Sequence, residues 1–235
     1  MTPSGPRGVH QAVLTSIGEA IVGGIYSEGT VLDPPSIMES FGVSRTLVRE
    51  VFKVLESKGL IEARPKIGTT VTERSKWKLL DEDVMAWRAI GGTDRKLLLE
   101  LEEIRFIIEP FCSRLCAERA DARQIRLIQD AAQGIEDAER AQSIEDIIEA
   151  DLRFHQLILA GCSNELLEKF EVLLEPALRV RNKLNLEQEH SRKFVKNHLD
   201  VADAISKRQG SLAEEKMRSL LGEASFDTRT IVGSQ

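Results

Sequence analysis

Apolar residues recur at helical spacing along the N-terminal part of the chain. Between His10 and Gly23 they fall on one face of a helix, at Val13, Leu14, Ile17, Ile21 and Val22. A short second helix is predicted around Pro35 to Phe41, ending at a glycine. Ser44 favours the start of a third helix over Arg45 to Lys58, and Gly59 is typical of the residue that follows a helix.

Two short segments rich in β-forming residues follow these helices. Leu60 to Ala63 and Thr69 to Thr72 flank the basic sequence Arg64 to Gly68, which contains proline and glycine. This pattern predicts a β-hairpin. Three helices followed by a hairpin make a winged helix-turn-helix, and we assign residues 1–73 to such a domain.

The rest of the chain has helical periodicity with short breaks. Residues 74–93 are predicted to form a linker and a linker helix, and residues 94–235 an all-helical domain. Helices are predicted near 81–90, 94–119, 121–140, 143–161, 164–187, 190–208 and 211–224. Because short loops join neighbouring helices, the expected fold is mainly α, with an N-terminal winged helix-turn-helix and a C-terminal antiparallel bundle.

The net charge of −6 is unevenly distributed. Residues 45–78 carry 9 Lys or Arg and 4 Asp or Glu, a local charge of +5, whereas residues 79–235 carry 22 and 30, a charge of −8. A basic N-terminal segment followed by an acidic remainder indicates that the first domain contacts phosphates. The acidic second domain is not expected to contact them.

The apolar runs and the cysteines indicate the compartment. No apolar run approaches the length of a membrane span, and Met1 to Arg7 lacks the apolar segment of a signal peptide. We therefore expect a cytoplasmic protein without membrane contact. The three cysteines lie in apolar helical segments, which predicts buried reduced thiols at Cys112, Cys116 and Cys162.

The segment Phe41 to Glu50 indicates a DNA-reading helix. Gly42 permits a tight turn, and polar residues occupy the first turn or so of the next helix, at Ser44, Arg45, Thr46 and Arg49. The N-terminal end of a recognition helix enters the major groove, where Arg can pair bidentately with guanine. The hairpin could reach the DNA backbone or the minor groove through Arg64, Lys66 and Gly68. The alternative is a solvated amphipathic helix with ordinary surface arginines.

Residues 9–73 resemble the DNA-binding domain of the GntR family. The resemblance rests on the sequence GVSRTLVRE from Gly42 to Glu50, on LESKGLI from Leu55 to Ile61, and on a wing ending in GTTV at Val71. It implies operator contacts by Arg45, Arg49 and the wing. The chain departs from the family at Leu32-Asp-Pro-Pro-Ser, which is one residue short, so no contact of the second helix is carried over.

Residues 95–225 resemble the effector domain, called FCD, of the FadR-type branch of that family. Four stretches carry this resemblance: Glu103 to Pro110, Asp151 to His155 with Asn164 after it, Asn197 to Ile205, and Ala213 to Leu221. It implies a helical bundle that binds a small carboxylate, often beside a metal. The linker from Arg74 to Trp87 is similar to that of regulators of sugar-acid catabolism such as the galactonate-operon repressors, which implies a galactonate- or gluconate-like effector.

A candidate metal site can be read from the residues themselves. Asp151 and His155 are four residues apart, hence on one helix face, and a carboxylate with an imidazole can bind a divalent cation. His198 on another helix could supply a third ligand; a surface Asp–His pair is the alternative. Metal-binding family members supply a further His where this chain has Leu220. We expect either no metal, or one Zn, Mn or Ni ion whose coordination is completed by water or effector oxygens.

Arg105 is the leading candidate for binding the effector. It lies in an otherwise apolar stretch, and a buried Arg needs an anionic partner. That partner could be Glu109 or Glu102 on the same helix, or an effector carboxylate held bidentately, which the resemblance implies. Asn164 and Arg179 are further candidates, although Arg179 could equally lie on a solvated helix face.

Three classes of function follow from these features. The first is a transcriptional regulator, most simply a repressor that binds palindromic operator DNA as a homodimer and is released by a small carboxylate. The second is a helical metal-dependent enzyme using Asp151, His155 and His198, although no nucleophile–base set is evident and no catalytic residue is predicted. The third is a winged helix that binds protein, whose affinity would lack the salt dependence of phosphate contacts.

Overall fold

The computed structural model describes residues 6–90, 95–176, 178 and 192–233. The chain divides into two compact units, Met1–Gly92 and Thr93–Gln235. The described residues are mainly helical, and a small antiparallel sheet lies in the first unit. The predicted fold class is therefore confirmed.

The first unit contains the predicted helices and hairpin. In chain order its elements are α1 (Pro6–Val22), β1 (Val31–Leu32), α2 (Pro34–Phe41), α3 (Arg45–Ser57), β2 (Ile61–Arg64), β3 (Gly68–Val71), a 3-10 turn (Arg74–Lys76) and α4 (Glu82–Ile90). Of the five residues that the periodicity placed on one face of α1, four are buried and Val22 is half-buried.

Local residues determine where α2 and α3 begin and end. Gly42 ends α2 with a φ of 63°, in the left-handed region that glycine adopts without strain. The Ser44 hydroxyl accepts a hydrogen bond from the Leu47 N–H at 3.3 Å, which is the predicted N-cap. Gly59 follows α3 with a φ of 79°, and a Cβ there would lie 2.1 Å from the carbonyl oxygen of Lys76. Only glycine fits at this position.

The sheet has a third strand that the sequence did not reveal. Its order is β1-β3-β2 and both pairings are antiparallel, with Val31 opposite Thr70 and Arg64 opposite Gly68. At the tip of the hairpin, the Arg64 carbonyl accepts a hydrogen bond from the Ile67 N–H at 3.2 Å. A strand of two residues is too short for an alternation of apolar and polar positions to be recognised.

The linker helix α4 packs against α1 within the first unit. Trp87 is 5% exposed, and a Cβ added at Gly18 would lie 2.5 Å from its ring carbons. Lys58, at the end of α3, forms ion pairs of 2.7 Å with Asp81 and Asp83 at the start of α4, and its Nζ lies 5.8 Å from the centre of the Trp87 ring. The linker helix therefore contributes to the core of the winged-helix unit.

The second unit is a bundle of helices. Its described elements are α5 (Arg95–Arg119), α6 (Ala122–Arg140), α7 (Ile144–Gly161), α8 (Glu165–Glu168), α9 (residues 171–176), α10 (Arg192–Ser206) and α11 (Gly210–Gly233). Helix α5 lies against α7, α10 and α11, and α6 lies against α7 and α10. These contacts bring helices that are distant in sequence around one core.

Two helix bounds in the second unit differ from the prediction. A continuous helix over 164–187 is wrong in its first part, because a turn at residues 169–170 separates α8 from α9. Apolar residues recur on both sides of this turn, so the periodicity could not show the break. The last helix continues past residue 224 to Gly233.

The core of the second unit contains the three cysteines. Cys112, Cys116 and Cys162 are free and buried, as predicted. Burial raises the pKa of Cys112 and of Cys116, so both remain thiols at neutral pH. Among the helices in the described part of the chain, none has a stretch long and apolar enough to cross a bilayer.

Candidate DNA-binding surface and candidate metal and effector site

The N-terminal turn of α3 presents basic and hydroxyl side chains to solvent. Its four predicted DNA-binding residues are all exposed: Ser44, Arg45, Thr46 and Arg49. The opposite face of the helix is held in the core by Val48, Val51 and Leu55. Among the residues that the structure describes, neither the Arg45 nor the Arg49 guanidinium forms a hydrogen bond or an ion pair. Both guanidinium groups are therefore available to a phosphate or a base edge.

The two basic residues of the wing differ in their surroundings. Arg64 donates a hydrogen bond from Nε to Glu62 at 2.7 Å, and Lys76 lies 2.9 Å from the other oxygen of the same carboxylate. Hydrogen bonds from Lys76 and Arg64 hold the pKa of Glu62 below its usual value. Lys66 is exposed at the tip with a φ of 65°, two residues before Gly68, which has a φ of 110°. Glu62, which no sequence motif marks, restrains Arg64 but leaves Lys66 free of that ion pair at the tip.

Five polar side chains from three helices meet inside the second unit. They are Arg105 and Glu109 of α5, Asp151 and His155 of α7, and His198 of α10. None is more than 3% exposed. Burying charged groups costs several kcal/mol unless they are paired (about 3–5 kcal/mol when one partner is missing), so this cluster holds together through its mutual contacts.

The three predicted metal ligands lie together. His198 Nε2 is 2.8 Å from Asp151 Oδ1, and His155 Nε2 is 3.4 Å from the same oxygen. The three donor atoms all lie within 4.8 Å of one another. Ions such as Zn²⁺ bind nitrogen and oxygen at about 2.0–2.2 Å, so two ligands of one ion lie about 3.0–3.5 Å apart. The two separations from Asp151 Oδ1, 2.8 and 3.4 Å, lie in or near this range, so small shifts of the side chains would let the three atoms share one divalent ion.

The second nitrogen of each histidine ring faces an acceptor. His198 Nδ1 lies 2.8 Å from the carbonyl oxygen of Phe194, and His155 Nδ1 lies 2.5 Å from Glu109 Oε2. A neutral imidazole that donates Nδ1–H keeps its lone pair on Nε2. In that tautomer both Nε2 atoms direct lone pairs toward Asp151 Oδ1, and a divalent cation bound between the three atoms would satisfy all of them. This donor set fits a metal, and acceptors on Nδ1 are the usual support for metal-binding histidines.

Burial and charge act in opposite directions on the titratable groups of this cluster. Burial alone would raise the pKa of Glu109, but the charges of Arg105 and His155 outweigh it and lower that pKa to about 2. Burial would lower the pKa of His155, but the carboxylates of Glu109 and Asp151 raise it. Burial does lower the pKa of His198, because the carboxylate of Asp151 does not offset it. The unprotonated form of His198, which can bind a metal, is therefore favoured.

Arg105 has a partner within the cluster. Its Nε donates a hydrogen bond of 2.5 Å to Glu109 Oε1, and its Nη2 lies 3.4 Å from His155 Nε2. Glu109 was one of the partners considered from the sequence. A guanidinium carries five N–H donors, so the remaining donors could still bind a carboxylate. The effector role of Arg105 stays a prediction.

The other predicted residues lie elsewhere or outside the described residues. Asn164 is exposed, and its side chain accepts hydrogen bonds from the N–H groups of Leu166 and Leu167 as the N-cap of α8. Arg179 lies outside the residues that the structure describes. Leu220 is 4% exposed in the apolar core, where it supplies no ligand.

The fold agrees with comparisons to known proteins. The model of the gntR family of bacterial regulatory proteins matches residues 10–71, and that of the FCD domain matches residues 100–223. The chain is 29% identical over 220 residues to the galactonate operon transcriptional repressor of Escherichia coli K12, covering 90% of this chain and 93% of that protein. It is 30% identical over 158 residues to YieP, an uncharacterized HTH-type transcriptional regulator of the same organism, covering 67% and 69%.

Solved structures share the fold at lower identity. McbR/YncC of E. coli has a TM-score of 0.55 at 16% identity, covering 95% of this chain and 98% of that one. Lar, which controls the expression of the Listeria monocytogenes agr system, has a TM-score of 0.62 at 15% identity, covering 94% and 96%. At these identities the likeness concerns the fold alone.

The fold and the matches define the class of this protein as a DNA-binding transcriptional regulator with a winged-helix reader and a helical effector domain. The chain belongs to the gntR family of bacterial regulatory proteins, in the branch that carries an FCD domain. The predicted family is confirmed. The alternative of a metal-dependent enzyme is not supported, because the matched families and relatives are transcriptional regulators.

Proposed function

We propose that this protein represses an operon for the catabolism of a sugar acid, and that a galactonate- or gluconate-like effector releases it from its operator. The observation that carries this proposal is the likeness to the galactonate operon repressor, which extends over 90% of the chain and includes both units. The buried cluster around Arg105 provides chemistry that suits an acid of this kind.

The DNA-binding half of the proposal concerns α3 and the wing. Arg45 and Arg49 project from the first turns of α3, and Lys66 projects from the hairpin tip. A recognition helix of this kind reads one half-site, and winged helix-turn-helix proteins bind palindromes as two-fold symmetric dimers. We therefore propose a homodimer on a palindromic operator.

The effector half concerns the buried cluster. A sugar acid offers a carboxylate for Arg105 and hydroxyl oxygens for a metal. Zn, Mn or Ni would be held by Asp151 Oδ1, His155 Nε2 and His198 Nε2, and would supply coordination positions to effector oxygens. Since Leu220 supplies no ligand, those positions remain open to the effector or to water.

The first experiment measures operator binding by fluorescence anisotropy, using DNA from upstream of the protein's own gene, with and without galactonate and gluconate. We expect sequence-specific binding that one acid releases, and an affinity that falls steeply with salt. The Arg49→Ala variant should lose about 5- to 150-fold in affinity, which corresponds to about 1–3 kcal/mol for a bidentate base contact. The matched control is Arg140→Ala, an exposed arginine of α6 in the second unit, which should bind like the wild type.

The outcomes separate the parts of the proposal. Specific binding that no sugar acid changes would retain the regulator and reject the sugar-acid effector. Specific DNA binding that Arg49→Ala leaves intact would reject the assigned reading surface. An absence of specific binding at every salt concentration would reject the operator assignment and favour a winged helix that binds protein.

A second variant tests the effector role of Arg105. Arg105→Gln should keep operator affinity but require about 10- to 100-fold more acid for release, because a charged hydrogen bond contributes about 1.5–3 kcal/mol. Arg153→Gln, an exposed arginine on α7, is the matched control. Release of Arg105→Gln at the wild-type concentration of acid would show that the effector binds elsewhere.

A further inference from the structure

We infer that Glu109 is a positioning residue that holds the imidazole of His155 in the orientation and tautomer required for metal binding. This inference rests on the proposed function, in that the ligand triad must bind a metal. Glu109 contributes no ligand atom to the triad, and its part is to direct one of the ligands.

The two oxygens of the Glu109 carboxylate have different partners. Oε1 accepts the hydrogen bond from Arg105 Nε at 2.5 Å, and Oε2 lies 2.5 Å from His155 Nδ1. Glu109 is 1% exposed, so water does not compete for either oxygen. Arg105 lies one turn before Glu109 on α5 and therefore fixes the carboxylate from the same helix, while its second oxygen meets a ring on α7.

The contact with Glu109 decides which nitrogen of His155 is free to bind a metal. The ring is packed edge-on against Phe154 and His198, with centroid distances of 5.5 and 5.7 Å. The Glu109 Oε2–His155 Nδ1 pair is 2.5 Å apart but lacks hydrogen-bond geometry, so the carboxylate acts on the ring through its charge. A negative charge beside Nδ1 favours the proton there and leaves the lone pair on Nε2, which faces Asp151 Oδ1 at 3.4 Å. Without the carboxylate, the proton could move to Nε2 and block the ligand.

The backbone carbonyl that faces His198 provides a contrast within the same site. His198 Nδ1 meets the carbonyl oxygen of Phe194, one turn earlier on its own helix α10. That acceptor is part of the backbone and no side-chain substitution can remove it. His155 depends on the side chain of another helix, so Glu109 is the point at which the metal site can be weakened without changing a ligand.

The experiment measures metal affinity directly in the full-length protein. Wild type, Glu109→Gln and Glu118→Gln are stripped of metal and titrated with Zn²⁺ in competition with a chromophoric chelator. Glu118 is a matched control, because it lies on the same helix and pairs with an arginine four residues away but is exposed. We expect Glu109→Gln to bind Zn²⁺ about 10- to 100-fold more weakly than wild type, the usual effect of losing such a supporting group, and Glu118→Gln to match wild type.

The possible outcomes distinguish a failure of the proposed metal site from a failure of the role assigned to Glu109. A wild type that binds no Zn²⁺ contradicts the metal site of the proposed function and this inference with it. Equal affinities for wild type and Glu109→Gln, with circular dichroism spectra of folded proteins, retain the metal site and overturn the inference.

A measurement on the wild type alone covers the case in which Glu109→Gln does not fold. In the ¹⁵N-labelled Zn²⁺ complex, histidine ring spectra should show a proton on Nδ1 of His155 and metal-bound Nε2. A metal-bound Nδ1, or a proton on Nε2, would overturn the inference.

Discussion

Replacing Gly18 with alanine sets two effects of opposite sign against each other in the first unit. Gly18 lies inside α1, where an alanine loses less conformational entropy on folding than a glycine and should stabilise the helix by about 0.5–1 kcal/mol. An added Cβ, however, would lie 2.5 Å from two ring carbons of Trp87 and 2.7 Å from a third. The sign of the change in stability therefore depends on whether α4 rests on α1.

The structure gives the magnitude of the opposing effect. Carbon atoms in contact normally lie about 3.5–4.0 Å apart, so the new methyl overlaps the ring by about 1 Å. Trp87 is 5% exposed and cannot swing into solvent without losing its burial. Overpacking of this kind costs about 1–3 kcal/mol. After the gain in helix propensity is subtracted, we expect Gly18→Ala to destabilise the first unit by up to about 2.5 kcal/mol.

The two tryptophans make the assay selective. Trp77 and Trp87 are the chain's only tryptophans, and both lie in the first unit, so tryptophan fluorescence during thermal unfolding reports on that unit alone. The expected loss corresponds to a fall in midpoint temperature of about 4–8 °C per kcal/mol for a domain of this size. The matched control is Gly222→Ala in α11, where a Cβ would have no neighbour within 4 Å and should leave the fluorescence transition unchanged.

A second background tests the assigned cause. In a Trp87→Leu protein the ring is absent, so adding Gly18→Ala should stabilise the unit by about 0.5–1 kcal/mol, with Trp77 as the remaining probe. If Gly18→Ala stabilises the wild type as well, the packing of α4 on α1 is refuted and the linker helix is not part of the DNA-binding unit.

Other predictions test the cap, the linker ion pairs and the buried carboxylate. Ser44→Ala should destabilise the first unit by about 1 kcal/mol in the fluorescence assay by removing the N-cap of α3, and an unchanged midpoint would contradict that role. Lys58→Met should lower the free energy of unfolding in the same assay by about 1.5–3 kcal/mol, because it removes the cation that pairs the end of α3 with the start of α4. The pKa of Glu109 is lowered to about 2 by Arg105 and His155, so its contribution to stability is complete above its unfolded pKa of 4.5 and is lost as the pH falls toward 2. The difference in unfolding free energy between wild type and Glu109→Gln, followed by circular dichroism, should therefore shrink by about 1.4 kcal/mol per pH unit below pH 4.5, and a constant difference would contradict the assignment.

Much of the fold could be predicted from periodicity and from residues that act locally. The buried face of α1, the N-cap at Ser44 and the glycine after α3 all depend on neighbours within a few positions, which the sequence displays directly. Strand β1 and the turn between α8 and α9 were missed for the converse reason. A strand of two residues is defined by its partner β3, and apolar residues recur on both sides of the turn.

The sequence by itself determined the family and the class of DNA-reading helix, because these depend on motifs. It also showed two candidate metal ligands, Asp151 and His155, because they lie four residues apart on one helix. Only the tertiary structure decided that Lys76 pairs with Glu62, that α4 joins the core of the first unit, and that Glu109 lies against His155. Each of these is a contact between different elements, or between strands and turns that fold back on one another. Such contacts follow from how whole helices pack, and the order of residues along one helix does not contain that information.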